Sequence, residues 1–213
     1  MRVTILCYDG FDELDAVGPY EVFAEATSRG ADLPVRLLTV DGRERVTAAH
    51  GLRIEPDGRL PAPDDPDAPE LLVVPGGGWN DRRDAGARAE AERGVIPEAV
   101  ADHHAAGAVV AGVCTGGMLL ARAGLLDGRP ATTHHGALAD LRETAAEVRE
   151  ERVVDDGDVL TAGGITSGLD LALHLVEREA GCEAADAVAA NMEYADCRGS
   201  GPDTVDTGVG DDR

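Results

Sequence analysis

The residues best suited to chemistry stand at Gly112-Val113-Cys114-Thr115-Gly116-Gly117. An apolar run precedes them and a helix-forming run follows. This is a G-x-C-x-G elbow, the thiol counterpart of the serine nucleophile elbow. A tight strand-to-helix turn strains the backbone of its central residue and lifts that side chain clear of the sheet, and the flanking glycines let the chain pass close by. The free N–H groups and dipole of the following helix are expected to lower the pKa of the Cys114 thiol.

A second signal is Val74-Pro75-Gly76-Gly77-Gly78 at the end of a predicted strand. Glycine-rich backbone there can aim N–H groups at a developing oxyanion. With no Lys-Ser/Thr after it, it is not a phosphate loop. A third is the acid cluster Asp9, Asp12, Glu13 and Asp15. Asp15 precedes an apolar helix at a strand's carboxyl end, where it could cap the helix, touch the thiol, or both. His134 follows a short strand after the elbow helix and reads equally as a partner of the cysteine or as a structural histidine. His103-His104, near a helix end, reads as surface. Asp170, in Ser167-x-x-Asp170 before an apolar run, reads as a structural capping box. No histidine has metal-ligand spacing, and the residues call for no metal and no cofactor.

These groups need a scaffold. Arg2–Cys7, Val35–Val40, Leu71–Val74 and Ala108–Val113 read as strands. Arg45–Ile54 reads as an irregular or hairpin segment, and Asp57–Glu70 as a Pro- and Asp-rich loop. Ala131–Thr133 reads as a short strand, and Arg152–Val154 with Val159–Ala162 as a hairpin about Asp156-Gly157. Helices are predicted over Asp15–Arg29 (with Pro19 in its first turns), Arg88–Ala106, Thr115–Ala123, Ala137–Val148, Ser167–Ala180 and Ala184–Tyr194. Strands alternating with helices argue an α/β fold, a doubly wound parallel sheet sandwiched by helices. Residues 1–194 are expected to form one domain, and 195–213, acidic and Gly-rich, a disordered tail.

Composition narrows the function. The 213 residues carry 41 acidic against 19 basic side chains, a net charge of -22. All the basic ones are arginine, with no lysine. Such a field repels phosphate backbones and anionic lipid, so nucleic-acid and membrane-surface binding are disfavoured. Dense acid without lysine is similar to proteins of salt-loving archaea, where concentrated salt screens the repulsion. Cys7, Cys114, Cys182 and Cys197 show no framework spacing, which fits a reducing cytoplasm. The longest uncharged run, Ala105–Ala121, is too short and too glycine-rich for a membrane span.

Five stretches together resemble the ThiJ/PfpI superfamily, the class I glutamine amidotransferase-like fold. They are Asp9-Gly10-Phe11-Asp12-Glu13-Leu14-Asp15-Ala16-Val17-Gly18-Pro19-Tyr20-Glu21-Val22-Phe23, Val74-Pro75-Gly76-Gly77, Ala111-Gly112-Val113-Cys114-Thr115-Gly116, Leu125–Arg129 through His134, and Thr161–Asp170. The first and third look most like the isonitrile hydratase branch and the ligand domains of amidase-type AraC regulators. The resemblance implies a flavodoxin-like fold, a nucleophile at Cys114, an acid partner at Asp15 and a variable role for His134. It implies oxyanion or substrate contacts from Gly76, Gly77, Thr115 and Ile165, with the Cys114 and Thr115 N–H groups facing the oxyanion. It also implies a homodimer and a small electrophilic substrate. Protease-like members carry His after the cysteine, and Thr115 stands there instead, which favours the hydratase branch over a peptidase. The open alternatives are a glyoxalase- or deglycase-like enzyme, a ligand-sensing stress protein, and, more weakly, a glutaminase or amidase or an intracellular protease-like enzyme. A glutaminase needs a His-Glu pair near the chain's end, and Glu193 has no such His. A fused regulator is not expected, since little chain follows Tyr194.

Overall fold

The computed structural model describes residues 1–81 and 84–194. The tail expected at 195–213 lies outside the described residues.

The chain opens with β1 (Val3–Leu6), all four residues buried. Then come α1 (Glu13–Ser28), β2 (Val35–Thr39), an antiparallel hairpin of β3 (Val46–Thr47) and β4 (Arg53–Ile54), β5 (Gly58–Arg59) and β6 (Leu71–Val74). After α2 (Ala87–Arg93) and α3 (Val95–Ala105) follow β7 (Val109–Val113) and α4 (Gly116–Arg122). The last third holds β8 (Pro130–Ala131), α5 (Leu138–Arg142), β9 (Glu147–Val148), β10 (Val153–Asp155), β11 (Val159–Ala162), α6 (Ser167–Ala180) and α7 (Cys182–Asn191).

The central sheet runs β10-β11-β7-β6-β1-β2-β5. Every pairing is parallel except the edge hairpin of β10 and β11. Strands of a parallel sheet are covered on both faces, so they read as unbroken apolar runs, and β1, β6 and β11 are buried throughout. Aromatic side chains are few, and aliphatic ones fill the core: Ile5, Leu6, Leu38, Leu71, Leu72, Leu119 and Leu120 are almost inaccessible. The flavodoxin-like architecture expected from the sequence is the one observed.

Several local expectations are corrected. The segment expected as one helix over Arg88–Ala106 is two, broken at Gly94, whose φ of 79° is left-handed. Ala137–Val148 is not one helix: a 3₁₀ turn and the short α5 lead into β9, which pairs with β8. The Asp57–Glu70 loop contains β5, which extends the sheet edge by pairing with β2. Pro19 lies inside α1, beyond its first turn. His103 is not on the surface. It is 3% exposed, with ring nitrogens 2.7 Å from Ala99 O and 3.0 Å from Pro61 O.

Position in the sheet brings the chemistry together. β7, β6 and β1 are neighbours, so the loops at their carboxyl ends converge at one point. Those loops carry Cys114, Pro75–Gly78 and Asp9–Asp15.

Candidate active site

The elbow forms as expected. Cys114 has φ 55°, in the left-handed region that residues with a Cβ rarely adopt. Its N–H donates to Ala162 O (3.1 Å) and its carbonyl accepts from the Thr133 hydroxyl (2.8 Å), so neighbouring chain on both sides holds the strained turn. The residue is only 5% exposed, so the thiol does not stand clear of the protein.

Asp15 does not cap α1. Asp12 does, its carboxylate accepting from Leu14 N at 3.2 Å. This leaves Asp15 in the first turn, facing inward and fully buried. Its Oδ2 accepts from Gly76 N at 2.9 Å, while Oδ1 is buried without a hydrogen-bond partner. An unsatisfied buried carboxyl oxygen is costly and calls for a functional account. Burial, reinforced by the charge of Asp12, pushes the Asp15 pKa up to about 8, against the opposing pull of the Gly76 N–H and the Cys114 thiol. Asp15 is therefore largely protonated at neutral pH.

The expectation of a lowered Cys114 pKa is overturned. Burial and the Asp15 carboxylate push the thiol well above its ordinary value, and the helical Thr115 N–H offsets only part of this. The reason is physical: one partial positive dipole end does not outweigh desolvation and a buried anion at close range. Thiol and carboxyl titrate as a coupled pair in which burial of either negative charge is resisted.

The glycine-rich loop is committed to the protein. Gly76 N holds Asp15, and Gly77 N donates to the Thr115 hydroxyl at 2.9 Å. Neither N–H, nor that of Cys114, is left for an oxyanion as expected. The Thr115 N–H instead acts on the Cys114 sulfur. Gly76 must be glycine, because a Cβ there would collide with Thr115 N. His134 sits beside Gly164, its Nδ1 accepting from Gly136 N (3.1 Å) and its ring 4.1 Å from that of His135. Burial lowers its pKa, so it is mostly neutral at pH 7. That hydrogen bond lies within its own turn and not with Cys114. Ile165, 38% exposed, lies on the loop leading into α6. Asp170 is structural, as expected, but not through a capping box: it accepts from Arg152 Nε (2.7 Å) and the Tyr194 hydroxyl (3.1 Å).

One residue of this site stands outside the sequence motifs, and another plays an unexpected part. Tyr8 is buried, and its hydroxyl donates to Pro75 O at 2.6 Å. Asp12, given no role of its own in the acid cluster, caps α1, and its charge acts on Asp15, Cys114 and His134 together. The adjacency of Tyr8 to Asp9 at the end of β1 was the available signal. Asp12, Glu13 and His50 bring ligand-type atoms within 4.8 Å of one another, but Glu13 already accepts from His50 N (2.7 Å) and meets its Nδ1, so no metal is assigned there.

Residues 1–178 match the DJ-1/PfpI family model. The chain belongs to the DJ-1/PfpI family. It is 33% identical over 216 residues to isonitrile hydratase of Pseudomonas putida, a match spanning 100% of this chain and 88% of that protein. It is 34% identical over 162 residues to the HTH-type transcriptional regulator GbdR of Pseudomonas aeruginosa, covering 74% of this chain but 40% of the regulator. Among solved structures, a ThiJ/PfpI family protein from Pseudomonas syringae aligns with a TM-score of 0.78 at 27% identity, over 97% of this chain and 78% of that one. Among the described residues no helix is long and apolar enough to cross a membrane.

Proposed function

We propose that this member of the family is a cysteine-dependent small-molecule enzyme of the isonitrile hydratase type. The observation that carries the reading is the strained thiol of Cys114 beside a buried carboxyl with one unpartnered oxygen. The similarity to isonitrile hydratase over the whole chain supports the substrate class. In the first step, sulfur bonds to the terminal carbon of R–N≡C. Protonated Asp15 gives its proton to that carbon as it takes the thiol proton, forming R–N=CH–S–Cys114. Water then adds to this carbon and the nitrogen gains a proton. Collapse breaks the C–S bond, releasing R–NH–CHO and restoring the thiol. Atoms balance as isonitrile plus water giving an N-substituted formamide. A carboxyl that stays protonated near neutral pH suits this relay, because it can give and accept a proton in one step. Thr115 and the Gly76-Gly77 loop hold the pair in register, and the reading assigns His134 and Ile165 to substrate contact.

A second reading, ligand sensing with little turnover, is favoured by the burial of the Cys114 thiol, which together with the Asp15 carboxylate pushes its pKa up. In both readings the partner is a small electrophile and the protein a homodimer, the exposed Leu14 and Val17 of α1 offering it an apolar face.

The test is a substrate panel of isonitriles, glyoxals, amides and peptides in molar KCl, with Cys114→Ala as control. Formamide production from isonitriles that Cys114→Ala abolishes is the expected result. Turnover of glyoxals alone would replace the hydratase reading, and saturable binding without turnover would favour sensing.

A further inference from the structure

We propose that Tyr8 is a positioning residue that tunes Asp15 through the Pro75–Gly76 peptide group, to which its hydroxyl makes the shorter of its two hydrogen bonds. The Tyr8 hydroxyl donates to Pro75 O at 2.6 Å, and the N–H of that same amide, belonging to Gly76, donates to Asp15 Oδ2 at 2.9 Å. Donation to an amide oxygen draws electron density toward it and makes the amide N–H a stronger donor, so the two bonds reinforce each other. The neighbouring peptide repeats the arrangement. Asp12 N donates to Gly76 O at 2.8 Å, and Gly77 N donates to the Thr115 hydroxyl at 2.9 Å. The Tyr8 hydroxyl also reaches Gly76 O, at 3.3 Å, so the first loop meets both Asp15 and Thr115 through two consecutive amides held by five hydrogen bonds.

Tyr8 suits the role because it is fixed. Its ring is 3% exposed and packs edge-on against Phe11 at 6.4 Å. Burial, with the charges of Asp15, Cys114 and Glu90, raises the phenol's pKa, so it remains a donor at any working pH. The groups acting on Asp15 are Asp12 from its own loop, Gly76 N–H from the β6 loop and Cys114 from the elbow; the relay strengthens the one that favours the carboxylate through a hydrogen bond from the backbone. The proposal rests on Asp15 being the proton carrier, but it concerns ionisation of the carboxyl and can be read without any substrate.

The experiment follows the Asp15 carboxyl by ¹³C NMR from pH 4 to 10 in 1 M KCl, the resonance being assigned by its loss in Asp15→Asn. Tyr8→Phe removes one oxygen and keeps the ring. It should move the titration midpoint upward, lowering the ionisation constant about two- to threefold. Replacing the tyrosines by 3-fluorotyrosine, a stronger donor of similar shape, should move the midpoint downward, and the shift should vanish when Tyr8→Phe protein is labelled. Thr27→Val, which deletes a comparable hydroxyl-to-carbonyl bond to Leu33 O far from the site, should leave the midpoint in place. An unmoved midpoint in folded Tyr8→Phe, or an equal shift in Thr27→Val, overturns the proposal. If Tyr8→Phe does not fold, the fluorotyrosine protein carries the test alone, and the absence of a downward shift overturns it. Failure of isonitrile turnover leaves these midpoints untouched, so the two readings fail separately.

Discussion

Gly76 presents its amide hydrogen to Asp15 from 61 residues away, at 2.9 Å. That bond ties the carboxyl end of β6 to the first turn of α1 and leaves the other Asp15 oxygen buried and unpaired. A carboxyl so placed is dear to fold and apt for moving a proton.

Asp15→Asn is expected to lower isonitrile turnover by about 10²–10⁴-fold, the usual worth of a positioned acid–base group. The fold should survive, because Asp12 and not Asp15 caps α1. Steady-state kinetics beside Cys114→Ala measures it. Full activity in the Asn variant would reassign the proton carrier, with His134 next in line.

The same variant should be more stable than the wild type at alkaline pH. The folded state holds the Asp15 proton up to about pH 8, whereas the unfolded chain releases it near 3.8. Stability is therefore full below 3.8 and lost as pH rises toward 8. Asp15→Asn escapes this loss, gaining on the order of a few kcal/mol at pH 8 and nothing near pH 4. Urea unfolding at both values checks the sign.

Asp12→Asn keeps a good helix cap but removes a charge that raises the pKa of both Asp15 and Cys114. Alkylation of Cys114 by a small neutral reagent at pH 8, followed peptide by peptide, should speed up several-fold. An unchanged rate would show that Asp12 acts on the site through its cap alone.

Thr115→Val deletes the acceptor of Gly77 N–H. A partly buried donor left unpaired costs up to about 1–3 kcal/mol, so the melting temperature should fall, while Thr115→Ser should retain most of it. Equal melting of the two variants would exclude the hydroxyl as the structural clamp.

With a net charge of -22, the melting temperature should climb between dilute and molar KCl as screening shortens to about 3 Å. A flat curve would refute the salt-adapted reading of the composition.

Elements whose signals are local follow from residue order along the chain. The apolar runs of β1, β6 and β7, the elbow about Cys114 and the Asp156-Gly157 hairpin stand where periodicity and turn chemistry put them. The helix boundaries that failed, at Gly94 and after Arg142, were decided by a left-handed glycine and by pairing of β9 with the distant β8. Within the site, residue types announced Cys114 and Asp15, and sheet order brought their loops together. Their chemical state comes from packing. The pKa of a thiol depends on everything packed around it, and burial beside Asp15 reversed the direction expected from the helix terminus. Tyr8 escaped notice for the same reason: its importance lies in the Pro75–Gly76 peptide it touches, a contact made across the sheet that no spacing along the chain encodes.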